Sequence, residues 1–190
     1  QAQMLRTKKT RMVGVIVPKV ASASVGRMVE GMLSALDENG YQMLLAVSQN
    51  NPKKELEYLE TFNDKMVDGV ILVGTIFTRE HRQLLKRLSV PVVIAGQRLP
   101  GYSCVFHDDY HATYDLTRLF LEKGRCRLGY IGAISQDKAV GAQRYDGFRD
   151  AVRDMGHEEL AKNHVVAAFS VASGYEKTAE LLRKCGELDG

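Results

Sequence analysis

Apolar positions along this chain alternate between two patterns. Short unbroken runs occur at Met12–Val17, Gln42–Val47, Val70–Val73, Pro91–Ala95, Arg127–Gly132 and His164–Ala168. Runs this short, bounded by Pro, Gly or polar residues, predict strands buried on both faces. A further short edge strand is predicted at Cys104–Phe106. Between the runs, apolar residues recur at spacings of three and four, which makes a stripe along a helix. The first stripe is Val25, Met28, Val29, Met32, Leu33 and Leu36, stopped at Asn39-Gly40. Helices follow over 53–64 (Leu56, Leu59 and Phe62 inward) and Thr78–Leu88 (Leu84, Leu85 and Leu88 inward). His107-Asp108-Asp109 opens another, running to Lys123, with Thr113, Leu116, Leu119 and Phe120 predicted inward. Arg144–Met155 carries Tyr145, Phe148, Ala151 and Val152 on its inner side, and Ser173–Lys184 closes the series. Strand and helix alternate without tight hairpins. The pattern predicts an α/β fold with parallel sheets and right-handed crossovers.

Composition narrows this picture. At 190 residues with 45% hydrophobic content, the chain has room for one domain or two small lobes. A net charge of +3 is too mild to argue for nucleic-acid binding by itself. No apolar run approaches a membrane span, and no signal-peptide core is present, so the expected location is the cytoplasm with no membrane partner. Cys104, Cys126 and Cys185 are far apart and lack metal-ligand spacing, so they are expected to be packing residues. Residues 1–11 are basic, and Arg6, Lys8, Lys9 and Arg11 suit either a solvated leader or a linker meeting a phosphate backbone. Asp189-Gly190 has the look of Asp68-Gly69, which leads into a strand, so the chain is expected to be a fragment of a longer protein.

In an open parallel sheet, ligands bind beyond the carboxyl ends of the strands. The loops there contain Pro18–Ser22, Ser48–Asn50, Gly74-Thr75, Gly96–Arg98, Ala133–Gln143 and Phe169-Ser170. None holds a nucleophile elbow, a Walker loop, a zinc-helix motif or a dinucleotide fingerprint. Amides, hydroxyls and single cations dominate, which is the chemistry that a polyol such as a sugar requires. Two constellations stand out. In His107-Asp108-Asp109, Asp108 reads as an N-cap, while Asp109 is either a second capping carboxylate or an acceptor for ligand hydroxyls. Too few carboxylates lie nearby for a metal. In the second, Asp137–Phe148, Arg144 at the first turn of a helix is either a surface charge or a fork of donors for hydroxyls or phosphate oxygens.

Taken in order, several pieces resemble the lactose/galactose repressor family of bacterial transcription regulators. They are A-x-x-L-x-x-x-x-T-x-x-V-G-V-I-V-P at Ala2–Pro18, G-x-x-x-x-L-x-x-x-G-Y at Gly31–Tyr41 and V-D-G-V-I-L at Val67–Leu72. P-V-V-I at Pro91–Ile94, D-D-Y at Asp108–Tyr110, L-x-x-G-x-x-x-L-G-Y-I-G at Leu121–Gly132 and R-x-x-G-F at Arg144–Phe148 complete them. The resemblance implies a two-lobe, periplasmic-binding-protein-like fold with effector in the cleft between lobes. Residues 1–10 would be the end of a hinge linker, with Arg6, Lys8 and Lys9 toward DNA. Residues 11–123 would be the N-terminal lobe, and 124–190 a partial, incomplete C-terminal lobe.

What the resemblance further implies is the effector-sensing core of a homodimeric repressor. A sugar or sugar phosphate would be its effector. Operator DNA would be met through an N-terminal helix-turn-helix absent from this chain. No enzyme activity, cofactor or metal is implied. Asp109 and Arg144 match the family's hydroxyl-binding carboxylate and arginine, and the loop Pro18–Ser24 lies where the first lobe meets effector. The candidate effector residues are therefore Lys19, Ser22, Gln97, Asp109, Asp137 and Arg144. Lys19 stands where many members carry an acidic residue. With Asp108-Asp109 it is similar to the trehalose-operon repressor branch, whose effector is a phosphorylated disaccharide, and Lys19 with Arg144 would serve a phosphate. The rival reading of the same fold is a solute-binding protein of a sugar transporter.

Overall fold

A computed structural model describes residues 9–65 and 67–190. Two compact units divide between Phe106 and His107. In the first, five parallel strands take the order β2-β1-β3-β4-β5. They are β1 (Met12–Val17), β2 (Gln42–Val47), β3 (Gly69–Val73), β4 (Val92–Ala95) and β5 (Ser103–Val105). β1 is flanked on both sides, with Val13 opposite Met43 in β2 and opposite Gly69 in β3. Its residues Val15, Ile16 and Val17 are wholly buried. Alternation along the strands divides the core in two. Ile16, Leu72 and Ile94 pack with Leu59 and Phe62 of α2 (Pro52–Asp64) and Leu84 and Leu85 of α3 (Arg79–Leu85). Val15, Val17 and Val73 pack with Val25, Met28 and Met32 of α1 (Ala23–Glu38) on the other face.

The strand and helix series expected from the sequence is present, with parallel pairing throughout. Some bounds move. The third helix ends at Leu85 rather than Leu88, and the edge strand covers Ser103–Val105, leaving Phe106 outside and exposed. Asp68 closes the entry to β3. Its carboxylate accepts from the Thr10 and Arg11 backbone N–H groups, at 2.8 and 3.0 Å, beside β1.

The second unit has a two-stranded parallel sheet, β6 (Tyr130–Gly132) with β7 (His164–Val166). Around it lie α4 (Asp109–Glu122), a π-helical turn (Lys138–Gln143), α5 (Arg144–Asp154), a 3-10 turn (Glu158–Lys162) and α6 (Val171–Cys185). The strand expected over Arg127–Gly132 is shorter. Arg127 instead pairs with the chain's last residues: its N–H donates to the Asp189 carboxylate at 2.9 Å, and its carbonyl accepts from Asp189 N–H. The strand expected to reach Ala168 ends at Val166.

Helix α4 corrects the expected inward face. Leu116, Leu119 and Phe120 are 53%, 48% and 38% exposed, while Asp109, Thr117 and Leu121 are buried. The helix is turned by its neighbour. α5 meets α4 through Gly147, where any Cβ would collide with the Tyr110 carbonyl oxygen, so only glycine permits this approach. Because α4 packs along α5, it belongs to the second unit, whereas the sequence placed it at the end of the first lobe, before a boundary at 123/124. Cys126 is exposed rather than a packing residue, and all three thiols are free.

Candidate functional site

Asp108 and Asp109 take different parts at the head of α4. Asp108 is the N-cap: one carboxylate oxygen accepts from His111 N–H at 3.0 Å and the other meets His111 Nδ1 at 2.8 Å. Those bonds lower its pKa. Asp109 occupies the first helical position and turns inward, to 3% exposure. There its Oδ1 accepts from Arg144 Nε at 2.6 Å, across 35 positions of sequence. The pair is asymmetric. The Asp109 side chain is 4% exposed and that of Arg144 is 44% exposed. A buried carboxylate thus fixes a guanidinium whose other edge reaches solvent.

Arg144 stands where the π-helical turn passes into α5. Asp137 caps that turn, its Oδ1 accepting from Val140 N–H at 3.0 Å. The Asp137 carboxyl is buried, and burial pushes its pKa up against the pull of the Val140 and Ala139 N–H groups and of Arg144; the charge of Asp109 adds to the rise. Asp109, Asp137 and Arg144 therefore form one electrostatic group. Tyr130, at the start of β6, joins it: burial raises its phenol, which also feels Arg144 and Asp109. Tyr130 is not among the candidates that the sequence pattern offers. Its place in L-G-Y-I-G, just ahead of a loop rich in candidates, was the available signal.

The arrangement is held by a two-rung ladder between α4 and α5. Tyr110 donates its hydroxyl to Asp150 at 3.1 Å, and Tyr114 donates to Asp154 at 3.2 Å. A step of four on one helix matches a step of four on the other, so the helices run parallel and both present their N-termini at one end. Arg149 bridges Asp146 and Asp150, which fixes the α5 side of the ladder. On Asp150, burial works upward on the pKa, but the bonds from Arg149 and Tyr110 outweigh it and the net direction is down. A charged acceptor strengthens the lower rung.

The remaining candidates lie in the first unit. Lys19 and Ser22 are half-buried in the loop after β1, and the Ser22 hydroxyl lies 3.0 Å from that of Ser24. Gln97, after β4, is buried, and its amide nitrogen donates to the carbonyls of Gly74 and Thr75 at 2.8 Å each. Gln97 therefore ties the loop after β4 to the loop after β3. Arg6 and Lys8 lie outside the described residues, and Lys9 is exposed. Among the described residues no cluster of acidic, histidine or cysteine side chains could hold a metal ion, and no helix is long and apolar enough to cross a membrane.

Parallel β-α-β units with polar side chains gathered in the loops after their strands define an α/β core of the periplasmic-binding-protein type. Residues 10–185 match the family of periplasmic binding proteins and sugar-binding domains of the LacI family, and the chain belongs to that family. It is similar to the sucrose operon repressor of Staphylococcus xylosus, at 34% identity over 146 residues, covering 77% of this chain and 46% of that protein. Among solved structures it resembles the trehalose repressor from Escherichia coli (26% identity, TM-score 0.77, 90% of this chain and 65% of that one). It also resembles the transcriptional regulator CelR in its cellobiose complex (27% identity, TM-score 0.81, 95% of this chain and 57% of that one). The chain spans about half the length of the curated relatives it matches.

Proposed function

We propose that this chain is the effector-sensing core of a bacterial transcription regulator of the repressor type, and that its effector is a sugar or sugar phosphate. The observation that carries the reading is the Asp109–Arg144 pair. Its buried carboxylate and half-exposed guanidinium place an acceptor and a fork of donors side by side. A sugar hydroxyl both donates and accepts, so neighbouring hydroxyls satisfy both groups at once. Asp137 and Tyr130 add polar groups to the same place, and Lys19, Ser22 and Gln97 are the first-unit candidates.

The whole protein would be a cytoplasmic homodimer that meets operator DNA through a helix-turn-helix outside this chain, with Arg6, Lys8 and Lys9 in the connecting linker. It would be a binding protein rather than an enzyme. The relatives and structures compared above are regulators by name, which favours this reading over a transporter's solute-binding protein. The test is thermal unfolding of the full-length protein against sucrose, trehalose, cellobiose and their 6-phosphates. A ligand at about 100 times its Kd adds about 2.7 kcal/mol of stability. At least one sugar is expected to raise the Tm and change operator affinity, and Arg144→Ala is expected to remove both effects. If no sugar shifts the Tm, or if Arg144→Ala responds as the natural protein does, the reading is wrong.

A further inference from the structure

Among the described residues the first unit buries four polar side chains, Ser48, Glu55, His81 and Gln97, and all four lie at or just beneath the carboxyl edge of its sheet. Buried polar groups that find one another rigidify the segments that carry them. We propose that Ser48, Glu55 and His81 are positioning residues: a buried tie that sets the spacing of the loops after β1, β2 and β3, and through those loops the affinity for effector, without touching it. The proposal rests on those loops meeting effector, the reading that makes Lys19 and Ser22 candidates.

The tie runs from loop to loop through side chains. The Ser48 hydroxyl lies 3.4 Å from the Val17 carbonyl, where the loop after β1 begins, and 3.2 Å from Glu55 Oε1. Ser48 N–H donates to the same Val17 carbonyl at 2.9 Å, which leaves the hydroxyl for Glu55. Glu55 Oε2 faces His81 Nε2 at 3.3 Å. On the far side of the ring Nδ1 meets Thr78, 2.9 Å from its hydroxyl and 3.4 Å from its backbone nitrogen, where the loop after β3 ends. Phe77 stands edge-on to the same ring, with centroids 5.9 Å apart. Gln97 holds the start of that loop through the carbonyls of Gly74 and Thr75. The stretch Gly74–Thr78 is therefore fixed at both ends by buried side chains.

The loop after β2 is held against a local preference. Gln49 and Asn50 both take left-handed backbone, at φ 58° and 57°. Residues with side chains avoid that region, and two in succession persist only where the flanks over-determine the turn. The flanks here are Ser48, pinned to Val17 and Glu55, and Asn51, whose side chain accepts from Lys53 N–H at 3.0 Å to start α2. Stability alone is a poor reason for such an arrangement. A buried carboxylate and imidazole can be replaced by apolar side chains of similar volume with no loss of stability. What the apolar pair lacks is the set of directed contacts to Ser48 and Thr78.

The experiment uses the full-length protein and, as probe, whichever of sucrose, trehalose, cellobiose and their 6-phosphates raises its Tm most. Thermal unfolding and calorimetric titration are run on the double variant Glu55→Met/His81→Phe, on Glu55→Gln and Ser48→Ala, and on Val70→Ala, a control that softens the same core from the amino end of β3. The double variant is expected to keep its Tm or raise it, while the probe's Kd weakens about tenfold because the loops have lost their tie. Glu55→Gln retains an acceptor for Ser48 and is expected to bind within about twofold of the natural protein, whereas Ser48→Ala binds about fivefold more weakly. Val70→Ala is expected to lower the Tm and leave the Kd within about twofold. A folded double variant that binds as the natural protein does overturns the proposal, and so does a Val70→Ala protein that loses as much affinity as the tie variants. If the double variant does not fold, Ser48→Ala decides, and unchanged affinity there overturns the proposal. A failure of the underlying reading looks different: Lys19→Ala and Ser22→Ala would then bind the probe as tightly as the natural protein does.

Discussion

Glu55 with His81 in the first unit and Asp109 with Arg144 in the second are both carboxylates paired with a basic side chain brought from afar. Their surroundings differ. Glu55 and His81 are 2% and 0% exposed, with Oε2 and Nε2 3.3 Å apart. Ser48 donates its hydroxyl to Glu55 Oε1 at 3.2 Å and His81 Nδ1 meets Thr78, while Glu55 Oε2 and His81 Nε2 face each other without a hydrogen bond. That pair ties α2 and α3 to the end of β2 and is closed to solvent. The Asp109–Arg144 pair is closed on its acidic side only. A pair that is open on one side can serve as a reader, and a pair closed on all sides serves as a fastener.

The largest expected effect tests the fastener. His81→Ala leaves a carboxylate buried without its partner and should cost about 3–5 kcal/mol in urea unfolding. A loss below about 1 kcal/mol would mean that water reaches Glu55. Next comes Gly147→Ala, which forces α5 away from the Tyr110 carbonyl. It should cost about 1–3 kcal/mol as overpacking does, and should weaken effector binding as well, because both members of the proposed subsite ride on these helices. Retained affinity in a folded Gly147→Ala protein would show that the helix spacing does not set the site.

Arg144→Ala should separate the two pairs most cleanly. Water can take the place of the half-exposed guanidinium beside Asp109, so stability should fall less than in His81→Ala, by about 1–3 kcal/mol, while effector affinity falls at least tenfold. Tyr110→Phe removes one rung of the ladder and should cost about 1 kcal/mol or less, with a small loss of affinity, readable by the same titration. The smallest effect concerns pH. Burial works upward on the Asp68 carboxyl, but the Thr10 and Arg11 bonds outweigh it and its pKa lies below the ordinary value. Its contribution to stability is therefore complete above the ordinary aspartate pKa and is lost as pH falls through the depressed one. Asp137, raised by burial, acts with the opposite sign: its contribution is present below the ordinary value and lost as pH rises through the raised one. Asp68→Asn should flatten the acid limb of a stability–pH curve and leave its neutral portion parallel to that of the natural protein.

Much of the first unit was legible because its strands are continuous apolar runs that need no partner to be recognised. Asp109 and Arg144 were legible by residue type and by their place after strands, and the resemblance to the repressor family named them again. Their contact with each other was not, since no local period connects positions 35 apart. The face of α4 was misread for a related reason. Positions 110, 114, 117 and 121 form one stripe, and 113, 116, 119 and 120 overlap another that is more apolar. Packing against Gly147 chose the less apolar one. Glu55 and His81 were missed because a charged helix reads as solvated until its partner is known. The likeness of Asp189 to Asp68 was visible in sequence, and both carboxylates accept from the backbone of a neighbouring segment that enters a sheet.

The ladder between α4 and α5 has a consequence for the speed and economy of recognition. Arg144 has many rotatable bonds, and a loose arginine would surrender that freedom each time a ligand arrived. Here the contact with Asp109 and the parallel helices restrict it during folding, so a ligand at the proposed subsite would find the donors already aimed. Preorganisation of this kind leaves more of each hydrogen bond to appear as affinity. It also places the entropic loss in the folding of the second unit, where Tyr110, Tyr114 and Gly147 hold the frame, rather than in the binding event.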